Sequence, residues 1–106
     1  RAGGDAPGRC LRYRGLTLDP DAVEVRLDGR VLEQLTAREF ELLRELLSSP
    51  GRVFTREILL AKLWGYDFFG DERVVDSHIK NLRKKLGVDY IETVRGVGYR
   101  VPKEHL

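Results

Sequence analysis

Residues 71–87 constrain the fold of this chain more than any other stretch. Their apolar side chains recur at helical spacing and form a narrow stripe, which consists of Val75, Ile79, Leu82 and Leu86. The opposite side carries cations and hydrogen-bonding groups, namely Arg73, Ser77, Lys80, Asn81 and Lys84. Asp71 suits the N-cap of such a helix, and Gly87 suits its C-terminal end. The stretch therefore predicts an amphipathic helix with one face on a core and a polar, basic face in solvent.

Positive charge is concentrated in the C-terminal third of the chain. The 106 residues carry a net charge of only +2. Between residues 73 and 103, however, eight Lys or Arg stand against three acidic residues, which is a local balance of +5. A basic patch on a nearly neutral protein is the usual electrostatic footprint of nucleic-acid binding. The predicted basic helix face lies in this region, so DNA is the partner that the charge pattern favours.

Other classes of function have little support in the residues. The single Cys10 excludes an internal disulfide and a multi-cysteine metal site. His78 has no second ligand at metal-binding spacing, so no metal is expected. No Ser/His/Asp or paired-carboxylate arrangement indicates an enzyme, and no cofactor is expected. No apolar run reaches the roughly 18–20 residues that cross a membrane, and a cytoplasmic location is expected.

Short apolar runs before position 36 predict a small antiparallel sheet of three or four strands. The expected strands cover residues 11–14, 16–19, 23–27 and 31–35. Asp28-Gly29 separates the last two strands and is a strong hairpin signal. Two further strands, 90–94 and 99–101, flank a Gly-containing turn and predict a second hairpin near the C-terminus.

Capping residues locate two further helices. Thr36 and Glu39 match a capping box, in which each residue binds a free amide of the other. Thr55 caps a second helix, which carries Trp64 near its end. A loop over residues 65–70 joins this helix to the amphipathic helix described above. An N-terminal antiparallel sheet, three helices and a C-terminal hairpin predict an α+β fold of the winged helix-turn-helix kind.

This arrangement resembles the OmpR/PhoB-type DNA-binding domain of bacterial two-component response regulators. The resemblance rests on the ordered motifs LTLDPDA, LTAREFELLRELLSSPGRVFTRE, LWG, VVDSHIKNLRKKLG and YIETVRGVGYRV. It covers residues 11–101, which is nearly all of the expected folded chain. It implies that the recognition helix, residues 72–86, enters the DNA major groove and that the wing, residues 94–99, reaches the adjacent minor groove.

The resemblance and the polar helix face together assign roles in DNA binding. The side chains expected to contact bases are Ser77, Lys80, Asn81 and Arg95. Those expected to contact phosphates are Trp64, Arg73, His78, Arg83, Lys84, Thr93 and Tyr99. Many family members have Arg at the position of Asn81, whose amide instead suits a bidentate contact with adenine. Trp64 is also expected to pack in the core, and Asp76 to form an ion pair with Arg73 one turn away.

The loop before the recognition helix has a separate assignment. By the resemblance, residues 65–71 are the segment through which relatives contact RNA polymerase. The residues assigned to this contact are Tyr66, Asp67, Phe68, Phe69 and Asp71. Packing of Phe68 or Phe69 into the core is the open alternative for these two aromatic side chains.

The function expected from the sequence is binding of specific double-stranded DNA as the output domain of a response regulator that controls transcription. The resemblance implies an upstream receiver domain, a sensor kinase and tandem DNA half-sites that bind two copies, whereas the isolated domain is expected to be a monomer. Residues 1–9 are expected to be a linker remnant, and residues 10–106 the winged-helix domain. Two alternatives remain open: a winged-helix domain of a transcription factor without a receiver, and a protein-interaction module with the same fold.

Overall fold

A four-stranded antiparallel sheet opens the domain. The computed structural model describes residues 10–87 and 90–103, so the expected linker over residues 1–9 lies outside the described residues. The strands pair in chain order and are β1 (Leu11–Tyr13), β2 (Leu16–Asp19), β3 (Glu24–Leu27) and β4 (Arg30–Val31). Leu16, Leu18 and Val25 point into the core and are at most 1% exposed. Buried and half-buried residues alternate in β2, whereas both residues of β4 are exposed. The predicted third strand, residues 23–27, begins one residue too early, because Val23 has a φ of +52°, is 61% exposed and lies outside β3.

The predicted fourth strand, residues 31–35, is wrong in its extent. The Leu32 amide still donates to the Val25 carbonyl at 2.8 Å, but regular pairing ends at Val31. Beyond that point the Gln34 carbonyl accepts a hydrogen bond from the Lys85 ammonium at 2.6 Å. At Gln34 the backbone is thus bound by a side chain of the third helix rather than by a neighbouring strand.

Three helices follow the first sheet, and their starts agree with the capping residues. They are α1 (Ala37–Leu47), α2 (Arg56–Leu63) and α3 (Arg73–Leu86). The capping box is confirmed, since the Thr36 hydroxyl accepts from the Glu39 amide at 3.1 Å and the Glu39 carboxylate accepts from the Thr36 amide at 3.0 Å. The Thr55 hydroxyl likewise accepts from the Ile58 amide at 3.1 Å.

The third helix begins and ends close to the predicted residues. The N-cap is Glu72, which makes no side-chain capping bond, so the predicted N-cap at Asp71 is one residue too early. The Asp71 carboxylate still accepts from the Arg73 amide at 2.9 Å. The amides of Val74 and Val75 donate three residues back, so the regular helix starts only at Arg73. At the other end Gly87 has a φ of +105°, a conformation that is strained for a residue with a side chain.

A second, three-stranded sheet contains the C-terminal hairpin. Its strands are β5 (Phe54–Thr55), β6 (Glu92–Val94) and β7 (Gly98–Arg100), and β7 lies in the middle. The hairpin is confirmed, although Ile91 and Val101 lie outside the regular strands. The Ile91 carbonyl accepts from the Arg83 side chain at 3.0 and 3.1 Å, and the Val101 carbonyl accepts from the Gly51 amide at 2.7 Å. Both residues are therefore hydrogen-bonded outside the β6–β7 ladder.

The apolar stripe of α3 is buried against the rest of the core. Val75, Ile79, Leu82 and Leu86 are each at most 4% exposed. Complete burial of one such side chain stabilises the fold by about 1.5–3 kcal/mol, so this stripe fixes the rotation of the helix about its axis. The α+β winged helix-turn-helix fold is confirmed. None of the helices in the described ranges is long and apolar enough to cross a lipid bilayer.

Candidate nucleic-acid interface

The face of α3 opposite its apolar stripe is exposed to solvent. Within residues 10–87 and 90–103, no hydrogen bond or ion pair engages the side chains of Ser77, Lys80, Asn81 and Lys84, all of which are exposed. The Arg73 side chain is 86% exposed and comes only within 3.8 Å of Asp71. These side chains can therefore bind a ligand without breaking contacts that stabilise the fold. Their assigned contacts with bases and phosphates stay predictions.

The tip of the wing presents one exposed arginine on a tight turn. Arg95 is exposed, and the turn closes through a 2.9 Å hydrogen bond from the Val97 amide to the Val94 carbonyl. Gly96 has a φ of +75°, which a glycine adopts without strain. Gly98 is required for a different reason, because a Cβ at this position would lie 2.1 Å from the Phe54 carbonyl oxygen. Strand β7 thus approaches β5 too closely for a side chain on this face.

Arg83 connects α3 to the wing. Its Nε and Nη2 atoms donate to the Ile91 carbonyl at 3.1 and 3.0 Å, and Nη2 also donates to the Thr93 hydroxyl at 2.6 Å. The guanidinium carbon lies 5.6 Å from the centre of the Tyr99 ring. Arg83 and Thr93 are therefore hydrogen-bonded to each other, whereas the sequence analysis assigned both side chains to phosphate contacts. That assignment stays a prediction.

Asp76 lies beneath the wing and accepts two hydrogen bonds. The Tyr99 hydroxyl donates to its Oδ1 atom at 2.5 Å, and Arg56 Nε donates to the same oxygen at 2.8 Å. The predicted ion pair between Asp76 and Arg73 is wrong, because Arg56 of α2 occupies the carboxylate and Arg73 faces Asp71 instead. Tyr99 is only 7% exposed, and its hydroxyl already donates to Asp76, so its phosphate contact, still a prediction, would compete with that hydrogen bond.

The pKa of Asp76 is lowered and the pKa of Tyr99 is raised. Partial burial acts to raise the pKa of Asp76, but the hydrogen bonds from Tyr99 and Arg56 outweigh it and lower that pKa. Burial and then the hydrogen bond to the charged Asp76 raise the pKa of Tyr99. The pair therefore holds one negative charge on Asp76 and one proton on Tyr99 over the whole neutral range.

Trp64 is half-buried between three side chains from other parts of the domain. The Arg38 guanidinium lies over its ring at 4.6 Å, His78 meets it edge-on at 5.2 Å, and Phe68 lies 6.2 Å away. His78 Nδ1 lies 2.8 Å from the Val74 carbonyl, and this nitrogen must carry the hydrogen because a carbonyl only accepts. The expected packing role of Trp64 is confirmed, and the phosphate contacts of Trp64 and His78 stay predictions.

The loop between α2 and α3 exposes two of its three aromatic side chains. Tyr66 and Phe69 are 92% and 95% exposed. Phe68 is half-buried against Trp64, so it is the aromatic residue that packs inward. Asp67 is exposed, and the Asp71 carboxylate accepts from the Arg73 amide at the start of α3. A shallow groove of about 410 Å³ lies between this loop and α2. The assigned contact with RNA polymerase stays a prediction.

Two contacts of this region were not predicted from the sequence. They are the stacking of Arg38 on Trp64 and the pairing of Arg56 with Asp76. Both arginines lie in the first turn of a helix, where the helix dipole disfavours a cation. That unfavourable placement is the one local signal that each side chain has a partner elsewhere. It indicates the existence of a partner but not its identity.

Lys85 belongs to the core side of α3 rather than to its basic face. Its ammonium lies 2.6 Å from the Glu39 carboxylate, and Glu39 is the only charged residue that is buried in the described part of the chain. Burial acts to raise the pKa of Glu39, but the hydrogen bonds from Lys85 and from the Thr36 amide outweigh it and lower that pKa. This ion pair ties the end of α3 to the start of α1.

Lys85→Met is expected to destabilise the domain by about 1–3 kcal/mol at neutral pH, because it leaves the buried Glu39 carboxylate without its cation. Because the pKa of Glu39 is lower in the folded state, the ion pair contributes its full stability at pH values above the unfolded-state pKa, which is about 4.3 for Glu. This stability is lost as the pH falls through the folded-state pKa. The difference between wild type and variant should therefore shrink below about pH 4. Urea unfolding at neutral and acid pH measures both effects.

Lys84→Met provides the matched control for this experiment. Lys84 is the preceding residue, and it is exposed with no partner in the described ranges. Its replacement should change the unfolding free energy by less than about 0.5 kcal/mol at either pH. Equal destabilisation by the two substitutions would show that Lys85 does not compensate a buried charge.

Comparison with known proteins identifies the family. The family of transcriptional regulatory protein C-terminal domains matches residues 30–101. Regulatory protein VanRB of Enterococcus faecalis is 52% identical over 91 residues, which cover 86% of this chain and 41% of that protein. The chain thus spans about two fifths of the length of this curated relative.

Solved structures of the same family share the fold. The response regulator DrrB of Thermotoga maritima, an OmpR/PhoB homologue, matches with a TM-score of 0.80 and 35% identity over 89% of this chain and 44% of that chain. The DNA-binding domain of RstA from Klebsiella pneumoniae was solved in complex with the RstA box. It matches with a TM-score of 0.79 and 34% identity, over 89% of this chain and 97% of that chain. The chain therefore belongs to the transcriptional regulatory protein C-terminal family and has the OmpR/PhoB-type winged-helix fold.

Proposed function

We propose that this domain binds specific double-stranded DNA and acts as the output domain of a response regulator that controls transcription. One observation carries the proposal: the exposed polar face of α3 is held beside a wing that ends in the exposed Arg95. The RstA domain, which has the same fold, was solved in complex with the RstA box. A helix fits the major groove of B-DNA, and an arginine fits the narrow, electronegative minor groove of A·T-rich sequence.

The side chains on the two elements suit different parts of the DNA. Asn81 lies near the middle of the exposed face of α3, where its amide can form a bidentate contact with adenine. Lys80 suits guanine or phosphate, and Ser77 can bind several base edges. Lys84 and Arg73 lie at opposite ends of the face and suit the phosphate backbone. Base reading is thus assigned to the centre of α3 and backbone binding to its ends.

The intact protein extends this proposal. The matched relative is more than twice as long as the aligned part, which leaves room for an upstream receiver domain and its sensor kinase. Phosphorylation of the receiver would bring two copies onto tandem half-sites about one helical turn apart. The exposed Tyr66 and Phe69 would serve as the contact with RNA polymerase. Such a regulator acts on the chromosome and therefore in the cytoplasm.

Asn81→Ala is expected to relax base preference at one position of the selected site, because it removes a contact worth about 1–3 kcal/mol of discrimination. Selection from a randomised DNA library, followed by sequencing, measures the preference at every position. Lys84→Ala is the control, since a lost phosphate contact should weaken all sequences about equally and reduce the salt dependence of binding. An unchanged selection profile for Asn81→Ala would rule out its assigned role in base reading.

The rival proposal is a protein-interaction module that presents α3 to an acidic partner. Titration of the selected duplex at two salt concentrations separates the two functions. DNA binding should weaken by orders of magnitude as salt rises, because bound cations displace counterions from the duplex. Absence of binding at low salt would favour the rival.

A further inference from the structure

Arg83 donates most of its side-chain hydrogen bonds to groups within the protein. Nε and Nη2 together make two bonds to the Ile91 carbonyl and one to the Thr93 hydroxyl, at 2.6–3.1 Å. Only Nη1 makes no hydrogen bond to the described residues. The side chain is half-buried, in contrast to the exposed Lys80 and Lys84 of the same helix. Its geometry is that of a link between α3 and the wing.

Arg83 acts on the first strand of the wing together with Ile91, which precedes that strand and is buried in the core. Strand β6 has three residues, lies at the edge of its sheet, and pairs only with β7. Arg83 binds the chain directly at the start of β6, at Ile91 and Thr93. It therefore sets where this strand begins relative to α3.

A second contact holds the other strand of the wing to the same helix. The Tyr99 ring of β7 lies under the Arg83 guanidinium, and the Tyr99 hydroxyl donates to Asp76 of α3. Asp76 in turn binds Arg56 of α2. We name Asp76, Arg83, Ile91, Thr93 and Tyr99 the helix–wing contact. It joins both strands of the wing to α3.

We propose that Arg83 is a positioning residue that sets the wing relative to α3, so that Arg95 and the base-reading face of α3 engage DNA as one unit. This inference rests on the proposed DNA-binding function. It differs from a simple phosphate contact, for which any cation at this position would serve. The arginine fork reaches the Ile91 carbonyl with two N–H groups and the Thr93 hydroxyl with a third, whereas a lysine presents all its donors from a single nitrogen.

Arg83→Lys tests this role because it keeps the charge and removes the fork. DNA affinity is measured for this variant, for Arg95→Ala, for Asn81→Ala, and for the two combinations with Arg83→Lys. We expect Arg95→Ala to weaken binding about 10-fold in the wild type and less than about 2-fold in the Arg83→Lys background. Asn81→Ala should weaken binding by the same factor in both backgrounds. A loss of global stability alone would not produce this selective coupling to the wing.

Three outcomes would overturn the proposal. They are wild-type affinity in Arg83→Lys, an equal effect of Arg95→Ala in both backgrounds, and equal coupling of Arg83→Lys to Arg95→Ala and Asn81→Ala. If Arg83→Lys fails to fold, Thr93→Val replaces it, since this substitution removes one of the three hydrogen bonds and keeps the shape of the side chain. It should reduce the effect of Arg95→Ala in the same direction, and an undiminished effect would overturn the proposal.

Amide hydrogen exchange in the free protein separates this inference from the proposed function. Arg83→Lys should speed exchange in β6 and β7 and leave the middle of α3 unchanged. Unchanged exchange in the wing would overturn the positioning role even if the domain binds DNA. Conversely, faster wing exchange in a domain that binds no DNA would support the contact and reject the DNA-binding function.

Discussion

Gly98→Ala is expected to destabilise the domain by about 3 kcal/mol or more, the upper end of the usual cost of overpacking. A Cβ at this position would lie 2.1 Å from the carbonyl oxygen and 2.8 Å from the carbonyl carbon of Phe54. Both atoms belong to the backbone of β5, so no side chain can rotate away to make room. The strand pair can accept the methyl group only by separating, which disrupts the bonds that hold the wing to the domain.

Gly96→Asn is the control for this substitution. Gly96 lies two residues earlier in the same hairpin, has a φ of +75°, and has no atom within 4 Å of an added Cβ. Asn tolerates this backbone region better than most residues, so the expected cost is about 1 kcal/mol. Urea unfolding of the two variants measures the difference. If Gly98→Ala costs no more than Gly96→Asn, the close approach of β7 to β5 is not a constraint on the fold.

Features with local causes could be predicted from the sequence. The capping box at Thr36 and Glu39 depends on residues three apart, and the rotation of α3 depends on an apolar stripe within one helix. The same holds for the two hairpins, whose turns carry Gly at the required positions. In each case the interacting groups are neighbours in sequence, so a repeated pattern is enough to identify them.

Features that depend on long side chains could not be predicted in this way. Arg83 and Lys85 count as two of the cations of α3, yet both bind groups within the domain. Lys85 reaches Glu39, which is 46 residues away in sequence, and Asp76 meets Arg56 across 20 residues. Periodicity places these residues on the flanks of the helix, but it does not reveal which neighbouring element comes within reach of them.

The distinction between cations with and without internal partners also narrows the set of residues to test for DNA binding. A count of charges treats every cation between residues 73 and 103 as available to DNA. The structure separates those with internal partners from those without, and on α3 the cations with no partner among residues 10–87 and 90–103 are Lys80 and Lys84. A cation that stabilises the fold cannot be removed without confusing loss of binding with loss of structure. Lys80 and Lys84 are free of this ambiguity and give the cleanest test of the interface.

The double charge reversal Lys80→Glu/Lys84→Glu is expected to weaken DNA binding by about 100-fold or more, because each substitution replaces attraction to the duplex with repulsion. Stability should change little, since both side chains are exposed and have no partner in the described ranges. Fluorescence anisotropy with a labelled duplex measures the affinity, and thermal unfolding confirms that the fold is intact.

Arg12→Glu/Arg44→Glu is the matched control, since it changes the net charge by the same amount on β1 and α1. Both arginine side chains are exposed and unpaired in the described parts of the chain. Long-range repulsion from the same added charge is screened beyond about 10 Å at 0.1 M salt, so this variant should bind within about 3-fold of wild type. If the two double variants weaken binding equally, total charge governs the interaction and the α3 face is not the DNA-binding surface. A large loss confined to Lys80→Glu/Lys84→Glu places the duplex against α3.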